Sequence, residues 1–399
     1  MPKRLISKTR LLALTKPGKF CIFPWFGTKI GDVRYQPCCQ FNHRATEYIG
    51  QNDFLVAKSS VAEFRSSPYL QYVREQLDAG IEIPECNQCW QDEANGTKSY
   101  RQTSSTIIFS NPKLSEFAKK DMPLLSAEVK IGNTCNYACA MCNPKDSTKI
   151  YSEWVNQQDN EFVLDYTTSL QHTADNENYF DHSKNLFLNP ALDRLDEVLN
   201  SNILHLKLLG GEPLLYAQVI QKLIDLPDSK KSKIALGIIT NGSKPIAPVV
   251  EKLGAFKKIT VEVSLEGVGK IQEYIRKGSI WNEVERNILE YHNLKDNRFT
   301  LDILNLVQAM SVEHQYKLVE WCKLHDITLT QDLLYAPSYL NINSLTDDLI
   351  NSLAYCPSFS SHKHVPEQRA KLVRFIEWYE SRHTMSLKEI SPGVYNDIS

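Results

Sequence analysis

The sequence predicts an α/β protein built on a partial barrel of six βα units. Three observations carry that expectation. Six short runs rich in branched apolar residues recur at 124–131, 203–209, 234–240, 259–265, 301–307 and 327–334, as in a parallel sheet covered on both faces. Helical patterns lie between them at 216–225, 245–253, 282–293 and 312–325, and such alternation marks α/β architecture. The alternation occupies about 210 residues, short of the roughly 250 of a closed eight-unit barrel.

The other segments are placed around that frame. Residues 1–115 form a cysteine-rich module, 116–335 the barrel, and 336–399 a loop and helix extension. Residues 143–200 interrupt the alternation with polar sequence in which Trp154, Tyr166, Tyr179, Phe180 and Phe187 are interspersed. This stretch predicts one or two helices plus a long loop, serving either as a lid or as a surface insertion. Ser311, ahead of Val312, is a plausible N-cap for the last barrel helix. Beyond residue 340 a loop holds Cys356. A helix over 366–383 then presents Val373, Phe375, Ile376 and Tyr379 as one apolar stripe,.

Bulk properties exclude some classes. The formal net charge is −2, so no global basic field points to nucleic acid or an anionic membrane. No run of about 18 apolar residues predicts a membrane span. The N-terminus is basic but lacks a signal-peptide core, and a cytoplasmic location is expected. In that compartment the 10 cysteines favour metal binding or redox work over disulfides.

Cys135, Cys139 and Cys142 form a CxxxCxxC run. Three thiolates at this spacing suit three irons of a [4Fe–4S] cluster. Structural zinc normally takes four protein ligands, and no fourth Cys or His lies nearby in sequence. The fourth iron would be open to an amine and a carboxylate, which S-adenosylmethionine (SAM) carries beside its sulfonium. Further motifs sit at the ends of consecutive predicted strands. Gly210-Gly211-Glu212-Pro213 ends the second, where two glycines let the backbone approach a ligand and Glu212 offers an acceptor for an ammonium. Thr240-Asn241-Gly242 ends the third and Ser264-Leu265-Glu266-Gly267 the fourth. Each taken singly reads as turn chemistry; together they gather at the face where barrel active sites lie.

This order of motifs, followed by Glu273-Tyr274-Ile275-Arg276-Lys277-Gly278, resembles the radical SAM superfamily over about residues 124–335. The resemblance implies that Cys135, Cys139 and Cys142 ligate the SAM-binding cluster. Gly210, Gly211 and Glu212 would contact the SAM amino group, and Ser264 and Glu266 would line ribose and carboxylate with Thr240 and Asn241 beside them. Two residues depart from the family pattern: Met141 stands where an aromatic is common before the third cysteine, near the adenine, and Glu266 stands where Asp is frequent. Arg276 is either a partner for a carboxylate of SAM or substrate or an exposed helix-end charge.

Five earlier cysteines, Cys21, Cys38, Cys39, Cys86 and Cys89, resemble the auxiliary-cluster modules called SPASM and twitch, here ahead of the barrel rather than behind it. The resemblance implies one auxiliary iron–sulfur cluster held by Cys21, Cys38 or Cys39, Cys86 and Cys89; zinc on the same thiolates is the alternative. The family's reaction, fed by an external low-potential donor such as flavodoxin or ferredoxin, cleaves SAM to methionine and a 5′-deoxyadenosyl radical that abstracts a hydrogen atom. SPASM and twitch relatives favour a peptide or protein substrate, with epimerisation, cross-linking or side-chain oxidation as outcomes. A small molecule or carbohydrate is the alternative, and RNA is disfavoured by charge. Cys356 is a candidate hydrogen-atom donor, whereas Cys322 sits on an apolar helix face. A non-catalytic iron–sulfur or zinc protein is the competing class.

Overall fold

A computed structural model describes residues 21–31, 34–42, 55–56, 58–94, 98–103, 122–169, 180–181, 191–294, 297–353, 355 and 362–399. Its strands, in chain order, are β1 (Gly27–Ile30), β2 (Tyr35–Gln36), β3 (Ser126–Lys130), β4 (Ala138–Cys139), β5 (His205–Leu209), β6 (Ala235–Thr240), β7 (Lys258–Ser264), β8 (Arg276–Lys277), β9 (Phe299–Val307) and β10 (Thr328–Leu333). All six predicted strands are present, as β3, β5, β6, β7, β9 and β10. The chain divides into two compact units. One comprises Met1–Ile131, Leu188–Leu208 and Lys233–Ala235; the other comprises Gly132–Phe187, Leu209–Ser232 and Leu236–Ser399.

In the first unit β1 runs parallel to β3, with Gly27 opposite Ser126 and Ile30 opposite Val129. β2 returns antiparallel to β1, and β5 lies on the other side of β3. Sequence patterning missed β1 and β2 because they are four and two residues long, too short to display a period. Helix Pro68–Asp78 packs against the short helix Phe23–Phe26 that leads into β1. Ser67 caps it by accepting from the Leu70 N–H, while Tyr69, Leu70, Val73 and Leu77 are buried, one 3–4 residue stripe facing the core. Arg65 ties the layer together by donating to the carbonyls of Gly27, Trp25 and Met122.

In the second unit β7 pairs parallel with β9 and β9 with β10, and β6 flanks β7. Burial alternates along these strands. One face is fully packed and the other only half-buried, a departure from the expectation of two covered faces. Glu262 and Asp302, paired in register, occupy the half-buried face, as suits a barrel left open rather than closed on an apolar centre, while Gln331 pairs with Asn305 on the packed face. The intervening helices are Ala217–Ile224, Ala247–Lys252, Trp281–His292 and Gln315–Leu324.

Two local expectations change. Ser311 does not cap the helix after β9. It lies inside a 3-10 turn, Ala309–His314, and the helix begins only at Gln315; the tighter turn consumes the residues that read as its first turn. The C-terminal helix is Pro366–Glu380, and Leu372 joins Phe375, Ile376 and Tyr379 as its buried stripe, with Val373 at the margin. Residues 143–200 supply helices Thr148–Trp154, Glu161–Ser169 and Ala191–Asn200. Among the described residues no helix is long and apolar enough to cross a membrane.

Candidate functional site

The loop bearing Cys135, Cys139 and Cys142 follows β3 in the chain, and its own backbone groups hold it in place. The Thr148 N–H donates to the Asn133 carbonyl at 2.8 Å. The Thr148 hydroxyl accepts from the Cys135 N–H at 3.2 Å and donates to the Cys135 carbonyl at 3.0 Å. The Ser147 hydroxyl donates to the Tyr137 carbonyl at 2.6 Å while accepting from the Lys149 and Ile150 N–H groups. One residue pair thus caps helix Thr148–Trp154 and fixes the cysteine loop together. At its far end Cys139 pairs with Arg276 in the β4–β8 ribbon.

The three strand-end motifs converge on this loop. Gly211 has φ +52, and a Cβ there would stand 2.3 Å from the Thr134 carbonyl oxygen. Only glycine permits that approach, and it lets the Glu212 N–H donate to the same oxygen at 2.8 Å. Glu212 is fully buried. One carboxylate oxygen accepts from the Leu214 N–H at 3.0 Å and the Thr240 hydroxyl at 2.8 Å; the other accepts from the Asn241 N–H at 2.6 Å. Glu212 is therefore a clasp joining two strand ends. A carboxylate has about four acceptor positions, so three protein donors leave it little to offer an ammonium. The Asn241 amide continues the chain of contacts, donating to Asn136 Oδ1 at 3.0 Å and lying 3.8 Å from the Cys135 sulfur. Asn136, Ser147, Thr148 and Tyr216, whose hydroxyl accepts from the Thr134 N–H at 2.7 Å, were not singled out from sequence. Only the Ser147-Thr148 cap carried a local signal.

Glu266 and Arg276 form a buried pair 2.6 Å apart, with side-chain exposures of 0% and 12%. Arg276 is thus no exposed helix-end charge. Among the described residues no group bonds the Arg276 Nε, while the Leu306 backbone and the Gln308 side chain join Arg276 at the Glu266 carboxyl; an unmatched buried guanidinium nitrogen is a donor that a polar ligand can use. Burial pushes the Glu266 carboxyl up against the opposing pull of Arg276. Burial alone would lower the Arg276 guanidinium; Glu266 and the Cys139 and Cys142 thiols hold it up instead. Ser264 and Met141 are half-buried, Met141 against the core that includes Tyr274 and Phe375.

All nine described cysteines are free thiols. Burial pushes Cys139 up to about 12, with Arg276 opposing, and raises Cys135 and Cys142 as well. Dry, neutral thiols of this kind gain most from a metal that takes them as thiolates. The donor set therefore fits three corners of a cubane. Among the described residues no group of three His, Cys, Asp or Glu could hold a single metal ion. A cubane asks for a wider set, because each thiolate binds a different iron.

A second thiol site lies within the first unit. Cys21, Cys38, Cys86 and Cys89 line one pocket with Phe23, Gln40, Phe41, Tyr100 and Arg101. Cys39 is not among the lining residues. Its thiol faces Glu128, Lys29, Tyr100 and Lys207 instead, and the Tyr100 hydroxyl donates to Glu128 at 2.5 Å. The bend and turn that follow β2 at Cys38 and Cys39 send the two thiols to different surroundings. Burial raises all four lining thiols, Cys21 to about 12, while Arg101 pulls Cys21, Cys86 and Cys89 back. Four soft sulfur donors around one pocket fit an iron–sulfur cluster better than a single zinc ion, for which no described group of three ligands is close enough,. Cys322 is buried in the core; Cys356 lies outside the described residues.

Fold and thiol sites together give a largely parallel α/β sheet with two sets of cysteines whose donor chemistry fits iron–sulfur clusters,. Residues 129–322 match the family described as the radical SAM superfamily. No curated protein matches the chain. Solved structures similar to it include Streptococcus suis SuiB bound to S-adenosylmethionine, 17% identical over 71% of this chain and 49% of that one, TM-score 0.34. Native anSMEcpe with bound AdoMet and Cp18Cys peptide is 19% identical over 64% and 59%, TM-score 0.36. TYW1 with a lysine-pyruvate adduct is 15% identical over 60% and 75%, TM-score 0.30. The matched region spans about half of the SuiB chain.

Proposed function

We propose that this radical SAM enzyme modifies a residue of a peptide or protein and carries an auxiliary iron–sulfur cluster in its N-terminal module, residues 1–115. The observation that carries this reading is the gathering of Cys21, Cys38, Cys86 and Cys89 around one pocket, a donor set that resembles the auxiliary modules of peptide-modifying relatives. Residues 116–335 form the catalytic barrel and 336–399 an extension packed on it. Cluster and SAM, when bound, supply one-electron reductive cleavage and hydrogen-atom abstraction; the protein supplies position and exclusion of water.

In this reading Cys135, Cys139 and Cys142 hold the SAM cluster. The Gly210-Gly211 backbone, kept close by the Glu212 clasp, would contact the SAM amine. The Arg276 Nε would bind a polar group of SAM, with Glu266, Ser264 and the Thr240–Asn241 turn as neighbours of that group. Cys38, rather than Cys39, completes the auxiliary set. A flavodoxin or ferredoxin delivers the electron.

The test is anaerobic reconstitution with iron and sulfide, then dithionite and SAM. Formation of 5′-deoxyadenosine, abolished by Cys135→Ala, is expected. A sample with its full iron content that makes none would sink the radical reading. Turnover in the presence of a short peptide encoded beside this gene should change that peptide's mass; an unchanged peptide under continued SAM cleavage rules out that substrate. Cys38→Ala should cost one cluster's iron and Cys39→Ala none; the reverse would reassign the ligand.

A further inference from the structure

We propose that Arg101 sets the reduction potential of the cluster held by Cys21, Cys38, Cys86 and Cys89, raising it by placing a buried positive charge and a backbone donor against the sulfur ligands. The inference rests on the auxiliary-cluster reading above.

Residues 99–101 form a strap across the thiol pocket. Tyr100 and Arg101 both line it. The Tyr100 ring stacks on Phe23 at 5.1 Å, and its hydroxyl is held by Glu128. Arg101 is only 8% exposed. Its Nε donates to Glu93 Oε1 at 2.9 Å, a terminal nitrogen pairs with Glu93 Oε2, and the guanidinium lies over the Trp90 ring at 5.2 Å. The Ser99 hydroxyl donates to the same Glu93 Oε1 at 2.5 Å. The Arg101 backbone N–H also bonds the Cys89 sulfur.

Two features distinguish this arrangement from a plain structural staple. Burying an ion pair is often no better for stability than an apolar pair of the same shape, so stability alone gives weak reason for a charge here. The charges are also placed unequally: Arg101 lines the pocket and its counter-ion Glu93 does not. Both charges reach Cys21 and Cys89 in opposite senses, and the Arg101 cation acts the more strongly on each. Net charge and hydrogen bonds to sulfur are the levers that set iron–sulfur potentials, and second-shell groups supply them. A positive charge at this position favours the reduced, more negative cluster.

The experiment uses the full chain with Cys135, Cys139 and Cys142 replaced by alanine, so that one cluster remains. Its midpoint is measured by redox titration followed by electron paramagnetic resonance, with iron and sulfide assayed in each sample. Glu93→Gln with Arg101→Gln, which removes both charges and keeps amide contacts, should lower the equilibrium constant for reduction about tenfold, or 59 mV for a one-electron couple. Glu93→Gln alone should shift the midpoint upward, and Arg101→Lys should keep most of the parental value. A structural staple would change iron content or melting temperature and leave the midpoint in place. A midpoint that ignores the double substitution at full iron content overturns the inference, as does a downward shift in Glu93→Gln. A parent that binds no iron overturns the auxiliary-cluster reading and this inference with it.

Discussion

Glu212 offers the sharpest test of how the site is built, because its clasp role predicts an effect before any ligand is present. Glu212→Ala leaves the Leu214 and Asn241 N–H groups without their acceptor, while the Thr240 hydroxyl can turn away. An unmade buried bond costs about 1–3 kcal/mol, so the loss should be about 3–5 kcal/mol. Glu212→Gln separates the two carboxylate oxygens. The amide oxygen can replace Oε1 and still accept from Leu214 and Thr240, but the amide nitrogen then meets the Asn241 N–H donor to donor. One charge-assisted bond is lost, about 1.5–3 kcal/mol, partly offset because a neutral amide costs less to bury than the carboxylate that burial already disfavours. At about 2–4 °C per kcal/mol for domains of roughly 150–250 residues, the melting temperature should fall by roughly 10 °C in Glu212→Ala and by roughly half that in Glu212→Gln. The assay is thermal unfolding of metal-free protein, followed by iron content after reconstitution. If Glu212 only met the SAM ammonium, metal-free stability would not change. A Glu212→Ala protein melting within about 1 °C of the parent would therefore refute the clasp.

Two further outcomes follow from the same geometry. Gly211→Ala adds a Cβ 2.3 Å from the Thr134 carbonyl at φ +52. The left-handed backbone costs about 1–2 kcal/mol, and the contact must push the cysteine loop aside, so reconstituted iron should drop by one cluster; full iron would show that the loop tolerates the shift. In metal-free protein Cys21, Cys39 and Cys139 sit near 12 instead of 9.0 because burial disfavours their thiolates. A pKa raised by folding contributes stability that is complete below the unfolded value and is lost as pH climbs through the folded one. Metal-free protein should thus lose stability between about pH 9 and 12, and cluster assembly, which releases protons, should become easier as pH rises. Thiolate absorbance titrating in full near pH 9 would contradict this.

The legibility of this protein was uneven for physical reasons. Five of the six strands could be read because each carries apolar residues on a buried face; β10, with Leu333 its single buried residue, is read from its place in the alternation. β1 and β2 could not, because a strand of four or two residues is defined by its partner and not by its own period. Cys135, Cys139 and Cys142 could be read because the local chain brings them together. Ser311 misled because a 3-10 turn and the first turn of a helix look alike in sequence.

The sequence alone determined the chemistry: which thiols are close along the chain, and that glycines and carboxylates end consecutive strands. Tertiary structure decided how those groups are used. Glu212 spends three acceptor positions on Leu214, Thr240 and Asn241. Arg276 is buried against Glu266 rather than exposed. Cys38 turns into the four-thiol pocket while Cys39 turns toward Glu128 and Tyr100. Residue identity sets what a side chain can donate, accept or ligate. Which partner it meets depends on contacts between residues distant in the chain, and these exist only once the chain is folded.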